Sequence, residues 1–396
     1  KQKYFSANGK YDFYVLFIER GIKLLKENGI LSYICPSYFY KRNYGKNIRK
    51  LVLNETKLNY ICDFKDFQIF DSALTYTCIF SLEKNSANKD HKVRIIEQEL
   101  YGSEHIIRQD SLKEPVWSLE KDNYREILEK ITSKCNYKLG DITKSISQGI
   151  VTGNNDVFIL DKNFILENNI NFNFLVEVYK GKDIRNGELI ENDNYLFYPY
   201  SVDKKGKNIL ISESEIKGKN PNLYEYLLSK KDLLLSRGYF VKSNKQWYEL
   251  WNPRKRTHFE NRKFVFSEVN DHNDFVLVDE CFYTDSACGM EIKDEFKKFE
   301  SFLLKYLNST IITSIYRKIS VPKANGYLIY KNAFLKDLPI ILLDDFANIN
   351  FDLIDIDDFL GDIFKLNEQE KTILLEEGTK NDWNKIWNYW ANCYFI

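Results

Sequence analysis

The chain has 396 residues, of which 44% are hydrophobic and 29% charged, and its formal net charge is +0. This composition excludes a disordered chain and an overall polycation, and the length predicts two or three domains that each bury a core. No apolar run approaches the roughly 18 residues of a membrane span, and there is no signal peptide, so we expect a cytoplasmic protein.

The charge is unevenly distributed, with 22 basic and 18 acidic residues in 1–133, 31 and 27 in 134–340, and 4 and 12 in 341–396. A neutral total can therefore hide a basic groove. The seven cysteines are scattered and predict buried, reduced thiols, and the four histidines lack a nearby ligand set, so we expect no metal site. Because the chain starts Lys1-Gln2-Lys3 and its only methionine is Met290, we expect it to be part of a longer protein.

The first region alternates helices and strands. Apolar residues at helical spacing predict a helix over 11–28, with Gly29 as its C-terminal cap, and a second helix over 44–53. Strands are predicted over 30–35, 58–64 and 74–82. This order predicts crossover units in a parallel sheet, with the last two strands forming an antiparallel hairpin because no helix separates them. The glycine-rich turn that normally opens a doubly wound sheet is missing from the sequence, so we do not expect a self-contained dinucleotide enzyme.

A set of short segments in this region resembles the second half of a TaqI-like, gamma-order adenine-N6 DNA methyltransferase of restriction–modification systems. The segments are Asp12-Phe13-Tyr14, Phe17-Ile18-Glu19, 25–31 (LKENGIL), Cys35-Pro36-Ser37, Gly45 with Ile48-Arg49, Ile69-Phe70 and 77–80 (TCIF). The resemblance implies a fold of the α/β class, namely the second half of a doubly wound class I methyltransferase sheet, over residues 1–95. It also implies S-adenosyl-L-methionine as the cofactor of the parent protein.

Two aromatic residues carry roles over from this resemblance. Phe17 matches the position that lines the adenine pocket of the cofactor, with a core position on an apolar helix face as its structural alternative. Phe70 matches the position that stacks on the flipped target adenine, with a strand-edge core position as its alternative. Base flipping costs a few kcal/mol, and stacking returns about 1–3 kcal/mol per base. The family's Asn-Pro-Pro-Tyr motif and cofactor glycine loop are not in this sequence, so we expect no methyl transfer by this chain alone.

Residues 96–133 are predicted to connect two domains and to carry a short amphipathic helix over 122–131. A turn-rich loop within 145–160 follows, and it is compatible with a phosphate-cradling glycine loop or with the entry turn of a second domain. Gly153 is followed by an apolar strand rather than by a lysine and a helix start. We therefore interpret the loop as the first hairpin of the second domain.

The second region, 134–340, resembles the TaqI-like C-terminal specificity domain, which recognises the DNA target. Eight segments match in order, namely 146–158 (ISQGIVTGNNDVF), 179–184 (YKGKDI), 196–200 (LFYPY), 224–227 (YEYL), 247–250 (WYEL), 262–266 (RKFVF), 306–309 (YLNS) and 338–340 (LPI). The resemblance implies an α+β, β-rich fold and double-stranded DNA as the partner. A short, acidic helical tail is predicted over 341–396, with helices over 368–377 and 382–391.

Basic and polar residues in predicted turns are the candidate DNA contacts, because base edges and phosphates are bound by such side chains. For each of them the alternative is a solvated surface position. The candidates are Gln148, Thr152, Asn154 and Asn155 in the loop, Lys180, Lys182 and Arg185 in a glycine turn, Trp247, Arg254, Lys255, Arg256 and His258 near Pro253, and Arg317, Lys318 and Lys323 at the end of a helix predicted over 294–318.

The sequence thus predicts a fragment of a site-specific adenine-N6 DNA methyltransferase, with or without a fused nuclease, that carries DNA recognition and target-base stacking. Its expected partners are DNA and either the missing N-terminal portion or a separate subunit. The alternative is a non-catalytic DNA-binding specificity module that works with a separate subunit.

Overall fold

The computed structural model describes residues 4–40, 42–65, 69–70, 75–88, 90–97, 103–112, 116–238, 240–320, 323 and 326–379. The chain divides into two compact units, one of residues 1–131 with 322–326 and one of residues 132–321 with 327–396. No helix of the described residues is long and apolar enough to cross a membrane. Nor does any group of three or more histidine, cysteine, aspartate or glutamate side chains in these ranges have the arrangement of a metal site.

The first unit is built on one mixed five-stranded sheet. Its strands are β1 (Ile30–Pro36), β2 (Lys57–Asp63), β3 (Thr77–Glu83), β4 (Lys92–Glu97) and β5 (Ser103–Arg108), in the order β1-β3-β2-β4-β5. β3 pairs antiparallel with both β1 and β2, β2 pairs parallel with β4, and β4 pairs antiparallel with β5. The antiparallel pairing of β2 and β3 is as predicted. β1 and β2 were expected to be parallel neighbours, but β3 lies between them. The chain returns from β2 to β3 without a crossover helix, so β3 runs antiparallel to β2 beside it.

Helices α1 (Tyr14–Leu24), α2 (Lys46–Glu55) and α3 (Asp122–Lys134) complete this part of the chain. Val15, Ile18 and Ile22 of α1 are fully buried in the core of the first unit. The predicted cap at Gly29 is wrong, because α1 ends at Leu24 and Leu25 already has an extended backbone. β5 lies within the segment predicted as a connector and is an edge strand of the sheet.

The second unit contains many short strands arranged in several sheets. The strands are β6 (Tyr137–Lys138), β7 (Thr143–Gln148), β8 (Ile159–Asp161), β9 (Leu175–Glu177), β10 (Ile184–Arg185), β11 (Glu188–Leu189), β12 (Asn194–Phe197), β13 (Tyr200–Val202), β14 (Asn208–Leu210), β15 (Lys263–Ser267), β16 (Val269–Asn270), β17 (Phe275–Val278), β18 (Ala287–Ile292), β19 (Leu328–Ile329) and β20 (Pro339–Ile340). The largest sheet has the order β17-β15-β18-β7, and a three-stranded sheet has the order β8-β12-β9. The predicted hairpin around 145–160 is therefore wrong, since β7 and β8 lie in different sheets.

The helices of the second unit are short. They are α4 (Leu139–Ile142), α5 (Asn155–Phe158), α6 (Lys162–Glu167), α7 (Glu213–Lys219), α8 (Pro221–Ser229), α9 (Lys231–Leu235), α10 (Glu300–Asn308), α11 (Thr310–Ile319), α12 (Asn332–Leu335), α13 (Ile356–Phe364) and α14 (Glu368–Gly378). The single helix predicted over 294–318 is interrupted, because Ser309 has an extended backbone and its side chain caps α11 by accepting from the Ile312 amide. The helix predicted over 382–391 lies outside the described residues.

Candidate nucleic-acid interface

Three of the predicted contact segments meet in the second unit around one short stretch, residues 282–286, which we call the central segment. On one side, the Ile150 amide donates to the Tyr283 carbonyl at 2.9 Å, and the Asp285 amide donates to the Ile150 carbonyl at 2.9 Å. On the other side, the Tyr179 amide donates to the Phe282 carbonyl at 2.9 Å. The central segment therefore holds the 148–155 loop and the 180–185 turn side by side.

The third segment, residues 252–258, is hydrogen-bonded to the 148–155 loop. The Asn252 amide donates to the Val151 carbonyl at 2.8 Å, and the Val151 amide donates back to the Asn252 carbonyl at 3.0 Å. The side chain of Arg254 then donates from Nε to the Gly149 carbonyl at 3.0 Å. Residues about a hundred positions apart in sequence are thus brought into one surface region.

Two glycines make this convergence sterically possible. A Cβ at Gly149 would lie 2.3 Å from the carbonyl oxygens of both Tyr283 and Thr284, and a Cβ at Gly181 would lie 2.4 Å from the Ser286 carbonyl oxygen. These distances are far inside van der Waals contact with backbone atoms. The glycines are needed for close backbone approach, which the phosphate-loop interpretation does not require.

The polar residues of the first loop have different tasks. Thr152 is only 2% exposed, and its hydroxyl donates to the Asn155 side chain at 2.6 Å and accepts from the Asn154 amide at 3.1 Å. The Asn154 side chain caps α5 by accepting from the Val157 amide at 3.2 Å, so a one-turn helix follows Gly153 and the strand expected directly after it is wrong. Thr152 thus shapes the loop and, being buried, is not available as the DNA contact predicted for it.

Gln148 lies at the end of β7, where the loop begins. Its side-chain amide nitrogen donates to Glu268 Oε2 at 2.9 Å and to the Asp285 carbonyl at 2.7 Å. Glu268 in turn accepts from Lys331 through its other oxygen at 2.8 Å. The orientation of the Gln148 amide is therefore fixed by the central segment and by β15–β16.

The 180–185 turn contributes exposed cations. The Lys180 amide donates to the Asp183 carboxylate at 2.7 Å, which closes the turn. Lys182 and Arg185 are exposed, and Arg185 Nε donates to the Lys182 carbonyl at 2.9 Å. Such a pair of solvent-facing cations beside an ordered turn is suited to phosphate binding.

The cations of the 252–258 segment are held to different degrees. Arg254 has a left-handed backbone, with φ of 55°, and is anchored to the loop as described above. Lys255 is exposed. Arg256 instead pairs with Glu260 at 2.7 Å, and its guanidinium lies 5.5 Å from the centre of the Phe282 ring. Arg256 is therefore held against the protein, and Lys255 is the more accessible cation.

His258 lies in a polar cluster beneath this surface. Its Nε2 is hydrogen-bonded to the Ser147 hydroxyl, and its Nδ1 lies 3.6 Å from Glu291 Oε1. Burial lowers the pKa of His258 from its ordinary value of 6.5, and the neighbouring charges of Lys263 and Arg254 lower it further against the opposing effect of Glu291. The imidazole is therefore held in its neutral form at neutral pH.

The remaining predicted contacts are engaged in packing. Trp247 is 6% exposed in the core of the second unit, and its indole nitrogen donates to Glu213 at 3.3 Å, so its predicted DNA contact does not fit this position. Arg317 donates to the Asp271 carbonyl at 2.6 Å, and Lys318 pairs with Glu377 of α14 at 3.2 Å. Because Arg317 also donates to the Gly378 carbonyl of α14 at 3.4 Å, Arg317 and Lys318 both help to bind α14 to α11. Lys323 is exposed in the part assigned to the first unit.

The two aromatic candidates of the first unit are both accessible. Phe17 lies on α1 with 60% of its surface exposed, and Phe70 is 42% exposed. A purely core role, the alternative for both, does not account for this exposure. The central segment was not identified by sequence, although the small residues at its end and just after it, Ser286, Ala287 and Gly289, are a signal of close packing.

Comparison with known proteins agrees with both halves of this description. Residues 1–70 match the family described as Eco57I restriction-modification methylase, and residues 176–340 match the TaqI-like C-terminal specificity domain. The type II restriction enzyme and methyltransferase RM.Eco57I of Escherichia coli is 33% identical over 254 residues, which cover 57% of this chain and 25% of that protein. The type II methyltransferase M.BstVI of Geobacillus stearothermophilus is 22% identical over 309 residues, which cover 72% of this chain and 53% of that protein.

A solved structure shares the fold. The type IIL restriction-modification enzyme MmeI, determined in complex with DNA, superposes with a TM-score of 0.60 at 12% identity, covering 94% of this chain and 50% of that one. The chain thus spans between a quarter and about half of the length of these proteins. The resemblance inferred from the residues is confirmed at the level of these matches: residues 1–70 resemble part of an Eco57I restriction-modification methylase, and residues 176–340 resemble a TaqI-like C-terminal specificity domain.

Proposed function

We propose that this chain is the DNA-recognition and target-base-stacking part of a site-specific adenine-N6 DNA methyltransferase. The observation that carries the proposal is the convergence of three turns on the central segment. It brings together the backbone segments that carry the exposed cations Lys182, Arg185 and Lys255 and the amides of Gln148 and Asn155. Cations position a protein on phosphates and amides read base edges, so this region has both components of a DNA contact surface.

In the first unit, Phe70 is proposed to stack on the flipped adenine and Phe17 to contact the adenine ring of S-adenosyl-L-methionine. The residues present do not fit a complete cofactor site. Phe17 supplies one aromatic face, and neither a cofactor glycine loop nor Asn-Pro-Pro-Tyr is found in the 396 residues. We therefore derive no methyl-transfer step from this chain, and expect the chain by itself to bind DNA without methylating it.

The edge of the first sheet supports completion by another polypeptide segment. β1 lies at one end of the strand order, and Ile30 and Ile34 on one of its faces are exposed. Phe13, which directly precedes α1, and Phe17 and Leu24 on α1 form an exposed apolar stripe. A long apolar edge of this kind is a template for pairing with a further strand. We propose that the N-terminal portion of the methylase, in the same polypeptide or in a separate subunit, occupies it.

The salt dependence of DNA binding tests the recognition role. We expect affinity for duplex DNA to fall steeply with salt, by a slope of about 0.9 for each phosphate contacted. The triple variant Lys182→Ala, Arg185→Ala, Lys255→Ala should reduce this slope by about 2–3. The matched control is Lys162→Ala, Lys217→Ala, Lys230→Ala, which removes the same charge from exposed positions on or beside α6–α8. Equal slopes for the two triple variants would refute the proposed surface.

A methylation assay tests the enzymatic part. DNA incubated with S-adenosyl-L-methionine and this chain should contain no new N6-methyladenine by nucleoside mass spectrometry, whereas DNA treated with the complete methylase should contain it. Turnover by the chain alone would contradict its proposed incompleteness, and N4-methylcytosine or 5-methylcytosine in place of N6-methyladenine would contradict the adenine specificity.

The second candidate is a non-catalytic specificity module, and the open edge of β1 favours it equally. In that case the chain would bind DNA and a separate subunit would supply all of the chemistry. The two candidates differ at Phe70, because only a chain that contributes to the active site loses methylation when Phe70→Ala is introduced into the complete assembly.

A further inference from the structure

The side chain of Gln148 has used both of its donor hydrogens within the protein. Its amide nitrogen contacts Glu268 Oε2 and the Asp285 carbonyl, and each of these atoms accepts hydrogen bonds. The flipped amide would place Oε1 within 2.9 Å of two acceptors, which is repulsive. The chemistry of its partners therefore fixes the orientation of this amide.

The remaining atom, Oε1, makes no hydrogen bond to a described residue, and it is not among the buried polar atoms that lack a partner. It therefore reaches solvent with its acceptor capacity unused. The backbone beneath it is rigid, because Gly149 is packed against Tyr283 and Thr284. Gln148 thus presents a fixed acceptor and no donor at the start of the loop.

Charged groups of both signs lie around this acceptor. Glu268 and Asp285 lie beside the amide, and the pKa of Asp285 is raised by burial and by the negative charge of Glu268. The two carboxyl groups are therefore close enough to interact. Lys331 pairs with Glu268 at 2.8 Å, and the charge of Arg254 partly lowers the pKa of Asp285, so cations offset these carboxyl groups. The acceptor character of Gln148 therefore rests on the hydrogen bonds that commit its two donors.

In the major groove, adenine and cytosine present an exocyclic amino donor, whereas guanine and thymine present a carbonyl acceptor. A glutamine whose side-chain amide is free can bind adenine through both its donor and its acceptor. Gln148 has only the acceptor left, because its two donor hydrogens are bonded within the protein. We propose that Gln148 is a specificity-determining residue that selects an amino-bearing base, adenine or cytosine, at one position of the recognised strand. The proposal rests on the DNA-recognition function proposed above.

The experiment is selection from a randomised duplex library, followed by sequencing, with the wild-type chain, Gln148→Leu and the control Gln369→Leu. Gln369 is an exposed glutamine on α14. We expect the wild-type consensus to contain a position restricted to adenine or cytosine, and this position alone to relax in Gln148→Leu. Discrimination there should fall by about 5- to 150-fold.

A second measurement uses the wild-type chain and altered DNA, so it does not depend on the folding of a variant. Purine, which lacks the 6-amino group, replaces adenine at the selected position, or 2-pyrimidinone replaces cytosine. The wild-type chain should lose affinity by the same factor, and Gln148→Leu should lose none further. An unchanged consensus in Gln148→Leu, or relaxation at a guanine- or thymine-restricted position, would overturn the assignment of Gln148. No consensus for the wild-type chain would instead overturn the DNA-recognition function itself.

Discussion

Replacing Gly149 by alanine tests whether the central segment organises the interface. The added Cβ would lie 2.3 Å from two backbone carbonyl oxygens, those of Tyr283 and Thr284, and backbone atoms cannot move aside as a flexible side chain can. Overpacking costs about 1–3 kcal/mol. Displacing the two hydrogen bonds between Ile150 and the central segment costs about 0.5–1.5 kcal/mol each. We therefore expect Gly149→Ala to destabilise the second unit by roughly 2–6 kcal/mol.

The matched control is Gly218→Ala in α7, where the same methyl group would have no neighbour within 4 Å. It should be neutral or stabilising by up to about 1 kcal/mol, since alanine is the better helix former. Urea unfolding followed by tryptophan emission measures both variants, because Trp247 and Trp251 lie in the second unit. The DNA affinity of Gly149→Ala should fall as well. A free energy of unfolding within about 0.5 kcal/mol of the wild type would refute the steric argument.

Three further predictions concern the loop, the stacking residue and the buried histidine. Gly153 has φ of +86°, so Gly153→Val should strain the loop by roughly 1–2 kcal/mol and weaken DNA binding; unchanged binding in a fluorescence-anisotropy titration would count against the placement of this loop at the DNA. In the complete assembly, Phe70→Ala should weaken binding of a duplex with a mismatched target adenine by about 5- to 150-fold, whereas Phe5→Ala, at another exposed phenylalanine of the first unit, should not; equal affinities would contradict the stacking role. The pKa of His258 is lowered in the folded state. The contribution of the neutral imidazole to folding stability is therefore present above pH 6.5 and is lost as the pH falls through the folded pKa. The wild type should therefore lose more thermal stability than His258→Gln on acidification from about pH 7.5 to 5. The pKa of His272 is raised mainly by its hydrogen bond to Asp271, so the wild type should gain thermal stability relative to His272→Gln on the same acidification. Parallel pH profiles of the wild type and His258→Gln would argue against burial of a neutral imidazole.

Local pattern predicted most elements of the first unit. Three features could be identified from the sequence because they depend on neighbours within a few residues. They are the apolar periodicity of α1, the β-branched run of β3 and the missing helix between β2 and β3. The insertion of β3 between β1 and β2 could not be predicted in this way. Strand order depends on which strand edges pair once distant parts of the chain lie side by side. The break at Ser309 was also missed. Apolar periodicity continues through it, and only the cap on α11 marks the boundary.

For the candidate interface, too, the sequence predicted some features and missed others. Residue type and turn chemistry identified Gln148, Lys182, Arg185 and Lys255, which are polar residues at or near the surface. The same criteria also selected Thr152 and Trp247, which the structure buries. Sequence cannot separate these two groups, because burial depends on contacts with residues far along the chain. It also gave no role to the central segment, whose partners Ile150 and Tyr179 lie more than a hundred residues away in sequence.

The sequence by itself therefore determined the resemblance to a restriction-modification methylase and to a TaqI-like specificity domain, the order of these two parts, and the kinds of residue proposed to bind DNA. These follow from short segments whose order is preserved and from local periodicity. Only the tertiary structure decided which of those residues share a surface, which glycines are required by backbone approach, and that the Gln148 amide has committed its donors. Each of these depends on backbone and side-chain atoms brought together by long-range pairing around residues 282–286, and hydrogen-bond capacity is known only once every partner is in place.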